Sequence, residues 1–206
     1  MNARQAASMI NAIADSISKK KKWLTELDAA IGDGDHGTNL AKGFDKAREK
    51  LVEYKLPSDV FKDVAMTLMS TVGGSSGPLF GSFFVKMAMR FRNSEEISPE
   101  IFADAFSDGV NGVMSLGKSS VGDKTMLDAL APACEAYKSA LSEKNDMVYA
   151  LGKASGAAKQ GAKDTVPLIA KRGRASFFGE MSIGHKDPGA ASSALMIEAM
   201  LKAMVS

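Results

Sequence analysis

Apolar residues recur three and four positions apart along nearly the whole chain, and strand-like alternation is almost missing. Ala6, Ile10, Ile13 and Ile17 mark a first segment, Leu40, Phe44, Ala47 and Leu51 a second, and Val60, Val64, Leu68 and Val72 a third that Ser58 is expected to cap. Side chains at that spacing share one face of an α-helix. Pro78 should open a fourth segment reaching about Phe91, and Ser98-Pro99 offers an N-cap and first-turn proline to a fifth. A sixth is expected from about Lys124 to Leu141 with a kink at Pro132, a seventh from about Asp146 to Ile169, and an eighth from Pro188 to Val205. Segments of about 15 to 20 residues make helices of about 22 to 30 Å, and short connections set sequential neighbours antiparallel. The expected fold is therefore all-α: an eight-helix antiparallel up-and-down barrel or bundle, as a single domain over residues 1–206. In such an arrangement the loops after the first, third, fifth and seventh helices fall at one end.

Composition narrows the function. A chain of 206 residues, 45% hydrophobic and 24% charged, can bury one full core. Its net charge of +2 is spread through interspersed acids and bases, which leaves no footprint for nucleic acid. The basic run Lys19 to Lys22 is expected near the end of the first helix, where cations complement the dipole. One cysteine, Cys134, excludes an internal disulfide and reads as a small core hydrophobe. Met66, Met69, Met87, Met196 and Met200 read as core filling, and Gly152, Gly156 and Gly161 as sites of close helix packing. The start Met1-Asn-Ala-Arg-Gln lacks a signal-peptide core, and no run of about 18 apolar residues could span a bilayer. A cytoplasmic protein without membrane contact is expected.

The polar residues concentrate in loops. Asp28, Asp33 and Asp35 fall in one eight-residue stretch, with Gly32 and Gly34 freeing the backbone to aim the carboxylates at one point. Crowding three acids is costly without a cation, and hard oxygen donors with no nearby cysteine favour magnesium, which takes carboxylates together with phosphate oxygens. Three carboxylates and a nucleoside diphosphate sum to about −6, which two divalent cations would largely offset. His36 follows at once, placed to donate to a phosphate oxygen. Gly73-Gly-Ser-Ser-Gly-Pro78 offers backbone N–H groups, the Ser75 and Ser76 hydroxyls and a helix N-terminus, a combination suited to phosphate. The last long connection carries Arg174, a planar phosphate partner, and Asp187, a further acceptor.

Three familiar patterns do not hold. Gly32 to Gly37 fits the dinucleotide fingerprint but follows no strand, and its acids repel bare phosphate. Gly112 to Ser119 fits the Walker A spacing, yet Ile101 to Val113 before it has helical period. An EF-hand starting at Asp33 would need a glutamate where Phe44 stands.

Four stretches in order, Asp28 through Asn39, Gly73 through Gly81, Gly122-Asp-Lys-Thr-Met126 and Gly173 through Gly189, resemble the DhaL family, the nucleotide-binding subunits of dihydroxyacetone kinases, across essentially the whole chain. The resemblance implies a closed barrel of eight antiparallel helices holding ADP, as a tightly bound coenzyme, and two magnesium ions. It implies Asp28, Asp33 and Asp35 as metal ligands and His36, Gly37, Thr38 and Asn39 as the phosphate turn. Ser75 and Ser76 would cover the phosphates, Gly117 and Met126 would line the nucleotide, and Arg174 with Asp187, Pro188 and Gly189 would form a lid. The catalytic set implied is Asp28, Asp33, Asp35 and His36. The partners implied are a K subunit carrying dihydroxyacetone and a phosphohistidine donor of the sugar phosphotransferase system; a homodimer is left open. Competing readings are an ATP-consuming kinase subunit for another small ketose and a nucleotide-loaded regulatory module.

Overall fold

The computed structural model describes residues 1–205. Among the described residues there are eight α-helices: α1 (Ala3–Ile31), α2 (His36–Glu49), α3 (Pro57–Thr71), α4 (Ser76–Arg90), α5 (Pro99–Gly117), α6 (Leu127–Glu143), α7 (Met147–Asp164) and α8 (Pro188–Val205). A 3₁₀ segment, Arg174–Ser182, interrupts the connection between α7 and α8, and no strand occurs among the described residues. Each helix packs on the next in sequence and α8 packs on α1, so the ring closes.

One apolar cluster runs through the ring and draws residues from all eight helices. Its densest part is a relay of aromatic rings: Phe44 meets Phe80 and Phe84, Phe84 meets Phe61 and Phe83, and Phe83 leads through Phe106 to Tyr137. Their mostly edge-to-face geometry suits the ring quadrupoles, and each buried ring contributes about 2 to 3 kcal/mol by transfer from water. Because these rings lock α2 through α6 together, the loops at the barrel rim sit on rigid supports. Cys134 belongs to this core, where burial pushes its thiol pKa up.

Several boundaries differ from the sequence expectation. α1 is 29 residues long, about 43 Å, so Lys19 to Lys22 lie in its middle on exposed surface rather than at its end. Asp28 is consequently a helical residue, and only Asp33 and Asp35 occupy the loop. Ser58 sits inside α3, because Pro57 takes the first turn and Leu56 the cap position. α4 begins two residues before Pro78, and α6 begins at Leu127 and runs unbroken past Pro132 to Glu143. α7 stops at Asp164, short of Ile169. Of its glycines only Gly161 makes a close approach, where a Cβ would strike the Asp128 carbonyl of α6; Gly152 and Gly156 face open space. Met66 and Met69 are exposed, while Met87, Met196 and Met200 are buried.

Candidate active site

The loops following α1, α3, α5 and α7 line one cavity of about 470 Å³, which places alternate loops at the same end of the barrel. That volume suits a nucleotide-sized ligand.

The acidic cluster lines one side of the cavity. Asp28 projects from the last turns of α1, and its Oδ2 accepts the backbone N–H groups of Asp35, 2.9 Å away, and His36, 3.1 Å away. This carboxylate thereby caps the start of α2 from a neighbouring helix and shapes the turn between them, which passes through Gly34 at φ 73°. Ligand oxygens of Asp28, Asp33 and Asp35 all lie within 4.8 Å of one another. The Asp35 carboxyl is held above its usual pKa by burial and then by the Asp33 and Asp28 charges, against the lowering influence of Asn39 and Arg174. An all-oxygen donor set of three carboxylates against one arginine keeps excess negative charge, which fits a hard divalent cation. Arg174 crosses from the 3₁₀ segment to pair with Asp33 at 3.0 Å, capping the cluster from above.

His36 has a different neighbourhood from the phosphate-facing one the sequence suggested. The residue is 7% exposed, with Ser76 Oγ 3.1 Å from Nδ1 and Ser192 Oγ 2.9 Å from Nε2. Ser192 gives its own proton to the Gly189 carbonyl at 3.0 Å, so Nε2–H donates to Ser192 and Nδ1 accepts from Ser76. Burial pushes its pKa down, opposed by Asp28 and the Pro188 carbonyl. A neutral imidazole thus pins the first turn of α4 to the second turn of α8.

The Gly-Ser turn leads into α4, whose cap residue Ser75 makes no side-chain cap bond, so first-turn N–H groups remain for a ligand. Across the cavity, Asp187 is buried, and desolvation raises its carboxyl to about 7 despite the Ala190 N–H bond; Asp128 adds to the rise and Lys124 opposes it. Its Oδ2 accepts from Ala190 N at 2.6 Å, capping α8.

Of the residues singled out from sequence, Asp28, Asp33, Asp35, His36, Ser75, Ser76, Gly117, Met126, Arg174, Asp187, Pro188 and Gly189 line the cavity. Gly37, Thr38 and Asn39 stand behind it. A Cβ on Gly37 would collide with the Lys21 carbonyl, Thr38 Oγ1 meets Thr25 Oγ1 at 3.4 Å, and Asn39 bonds the Asp35 carboxyl. Sequence reasoning missed Ile31, Leu79, Val113 and Leu116, which form an apolar side beside Gly117 and Met126. They share the helical period of core residues, so no local signal set them apart; only Leu116, at 54% exposure, betrays a wall rather than a core.

Fold and cavity together define a class: an all-helical barrel with a pocket at one rim, acidic on one side and apolar on another. Within that class the chain belongs to the DAK2 domain family, which it matches over residues 30–202. It is 40% identical over 200 residues to the ADP-binding subunit DhaL of the PEP-dependent dihydroxyacetone kinase of Escherichia coli (strain K12), covering 96% of this chain and 95% of that one. It is 42% identical to the corresponding subunit of kinase 1 of Listeria innocua serovar 6a, over 98% of this chain and 96% of that one. The crystal structure of the dihydroxyacetone kinase from C. freundii in complex with AMP-PNP and Mg²⁺ superposes with a TM-score of 0.76 at 27% identity, over 98% of this chain and 34% of that longer one.

Proposed function

We propose that this chain is the nucleotide-binding phosphotransferase subunit of a dihydroxyacetone kinase, with Asp28, Asp33 and Asp35 holding two magnesium ions against the diphosphate of ADP. Bound ADP would accept a phosphoryl group from a phosphohistidine donor and pass it to dihydroxyacetone on a separate K subunit. The observation that carries this reading is the convergence of the three carboxylates under Arg174, beside an uncapped helix start. The names of its full-length relatives point the same way.

Each group has a share in the work. The carboxylates would supply the metal sites, and metal charge on the phosphate oxygens lowers the barrier to in-line transfer. Ser75, Ser76 and the first N–H groups of α4 would position the terminal phosphate, while His36 holds Ser76 in place. On substrate binding Arg174 can exchange Asp33 for phosphate, as a planar two-pronged donor. The apolar side formed by Leu79, Val113 and Leu116 would receive the base. No nucleophile from this chain is needed.

Native mass spectrometry of the purified protein tests the reading: a mass excess of one ADP with two magnesium ions is expected. Adding the protein to a K subunit and a phosphohistidine donor should then yield dihydroxyacetone phosphate. A protein that takes up no nucleotide in magnesium sinks the proposal.

A further inference from the structure

The connection between α7 and α8 closes on itself at a narrow waist. Gly184 N donates to the Val166 carbonyl at 2.8 Å, and Ala170 N donates to Ser182 Oγ at 2.9 Å. Beyond this waist the segment projects over the cavity and carries Arg172, Gly173, Arg174 and Ala175 to its wall. It is a loop whose ends meet, built like other compact functional loops.

One foreign side chain fills the waist. Lys124, from the α5–α6 loop, is 1% exposed, and its Nζ donates to the carbonyls of Thr165 at 2.9 Å, Leu168 at 3.1 Å, Ser182 at 2.7 Å and His185 at 2.5 Å, with Val166 at 3.5 Å. Three acceptors precede the projecting segment and two follow it, so a single ammonium ties both of its ends. Burying a cation is costly unless its protons are all met, and here the acceptors exceed the three protons available. The placement is also maintained against backbone preference, since Lys124 has φ 61°. Asp128 accepts from Gly122 N and Thr125 N on either side, fixing the loop that presents it.

A second tie lies next to the first. The Asp123 carbonyl accepts from Lys171 N at 3.0 Å, and its carboxylate faces Lys171 at 3.5 Å and Arg172 at 3.6 Å. A lysine that only filled a core would have no such relation to the cavity. Lys124 does: it touches the cavity wall together with its neighbours Thr125 and Met126, and the segment it ties carries Arg174 to Asp33.

We propose that Lys124 is a positioning residue that anchors this segment as a lid, and so sets how long a nucleoside diphosphate stays bound; the retention half rests on the function proposed above. The sequence offers Lys124 only as the third residue of a Gly-Asp-Lys-Thr-Met stretch, with nothing to show that its charge is spent inside the protein.

Two measurements on the full chain test it. Trypsin cleavage at the exposed Lys171, Arg172 and Arg174, followed without nucleotide, should quicken at least tenfold in Lys124→Met, with helical circular dichroism and cleavage elsewhere unchanged. Release of ADP in magnesium should quicken at least tenfold while its association rate stays within twofold, a split that general loss of folded protein would not produce. Trp23, the sole tryptophan, lies under Lys186 at 5.7 Å beside the waist, and its emission should shift in the same variant. A folded Lys124→Met protein with wild-type cleavage and release overturns the proposal. Should that variant fail to fold, Lys124→Gln, which keeps a donor but loses the charge and reach, carries the test, with about threefold faster cleavage and release expected and wild-type rates overturning the proposal. Wild-type protein that takes up no ADP overturns the nucleotide reading and the retention half, whereas the nucleotide-free cleavage rates decide the anchor by themselves.

Discussion

The two ends of the barrel solve the same problem in opposite ways. At the end away from the cavity, three of the four helix starts are closed by their own cap residues: Asn2 accepts from Gln5 N within a capping box, Ser98 Oγ from Ile101 N, and Asp146 from Tyr149 N, while α3 opens on Pro57 behind the apolar Leu56. The amino terminus adds to this end by donating to the Ile97 carbonyl at 2.7 Å. At the cavity end only α8 is closed this way, by Asp187, whereas α2, α4 and α6 have no side-chain cap of their own, although Asp35 and Ser75 are residue types that cap well. Their polar side chains turn toward the cavity instead, and Asp28 and His36 reach across from neighbouring elements to hold the turns in shape. Local satisfaction builds a stable end, and its absence would suit a binding end, because orphan N–H groups and excess carboxylate charge are what a metal-phosphate ligand can complete.

The difference between the ends can be broken by mutation. Asp33→Ala should lower phosphoryl transfer by about 10²- to 10³-fold, on the scale of losing one preorganised electrostatic contact, with little change in melting temperature. A reconstituted assay with a K subunit reads the first effect and calorimetry the second; a stable variant with full activity would remove Asp33 from the site.

Ligand addition sharpens the contrast next. With ADP and magnesium at about 100 times their dissociation constant the native state should gain about 2.7 kcal/mol, raising the melting temperature by about 5 to 10 °C. Chelation with EDTA should abolish the gain, and Asp33→Ala should not show it.

At the far end, Ser98→Ala should cost about 1 kcal/mol and lower the melting temperature by about 2 to 4 °C through loss of the α5 cap. Nucleotide binding and transfer should stay at wild-type values, which a titration checks. A loss of binding would show that the ends are coupled.

The smallest effect is a slope. His36 is a base whose folded pKa lies below its ordinary 6.5, so the unfolded chain takes up the proton first, and the stability it contributes is present above 6.5 and lost on acidification below it. Asp187 acts in the other sense, an acid raised from 3.8 to about 7 whose contribution falls as pH climbs through that window. Melting temperatures of wild type and His36→Gln between pH 7.5 and 5.5 isolate the histidine, because Asp187 is common to both. The wild type should lose more stability on acidification than the variant.

How much of this was legible beforehand varied with the kind of signal. The helices were, because their apolar period is written locally, and so was the grouping of alternate loops at one end. Boundaries slipped where a helix continued through polar sequence: α1 carries Lys19 to Lys22 and Asp28 on its exposed and cavity-facing sides, and a run of charges gives no apolar period to follow. The acids, the Gly-Ser turn and Arg174 stood out as residue types rare in cores. The apolar wall from Leu79 to Leu116 did not, since a cavity-facing leucine and a core leucine look alike along the chain.

From the amino acids by themselves came the helical architecture, the count of eight segments and the inventory of groups able to bind metal and phosphate, because periodicity and residue chemistry are properties of short stretches. Tertiary structure alone decided which groups meet. That Asp28 caps another helix, that His36 spends both nitrogens on serines from α4 and α8, and that the ammonium of Lys124 lies inside a waist of carbonyls depend on contacts between residues up to 156 positions apart. Such contacts exist only once the ring of helices has closed.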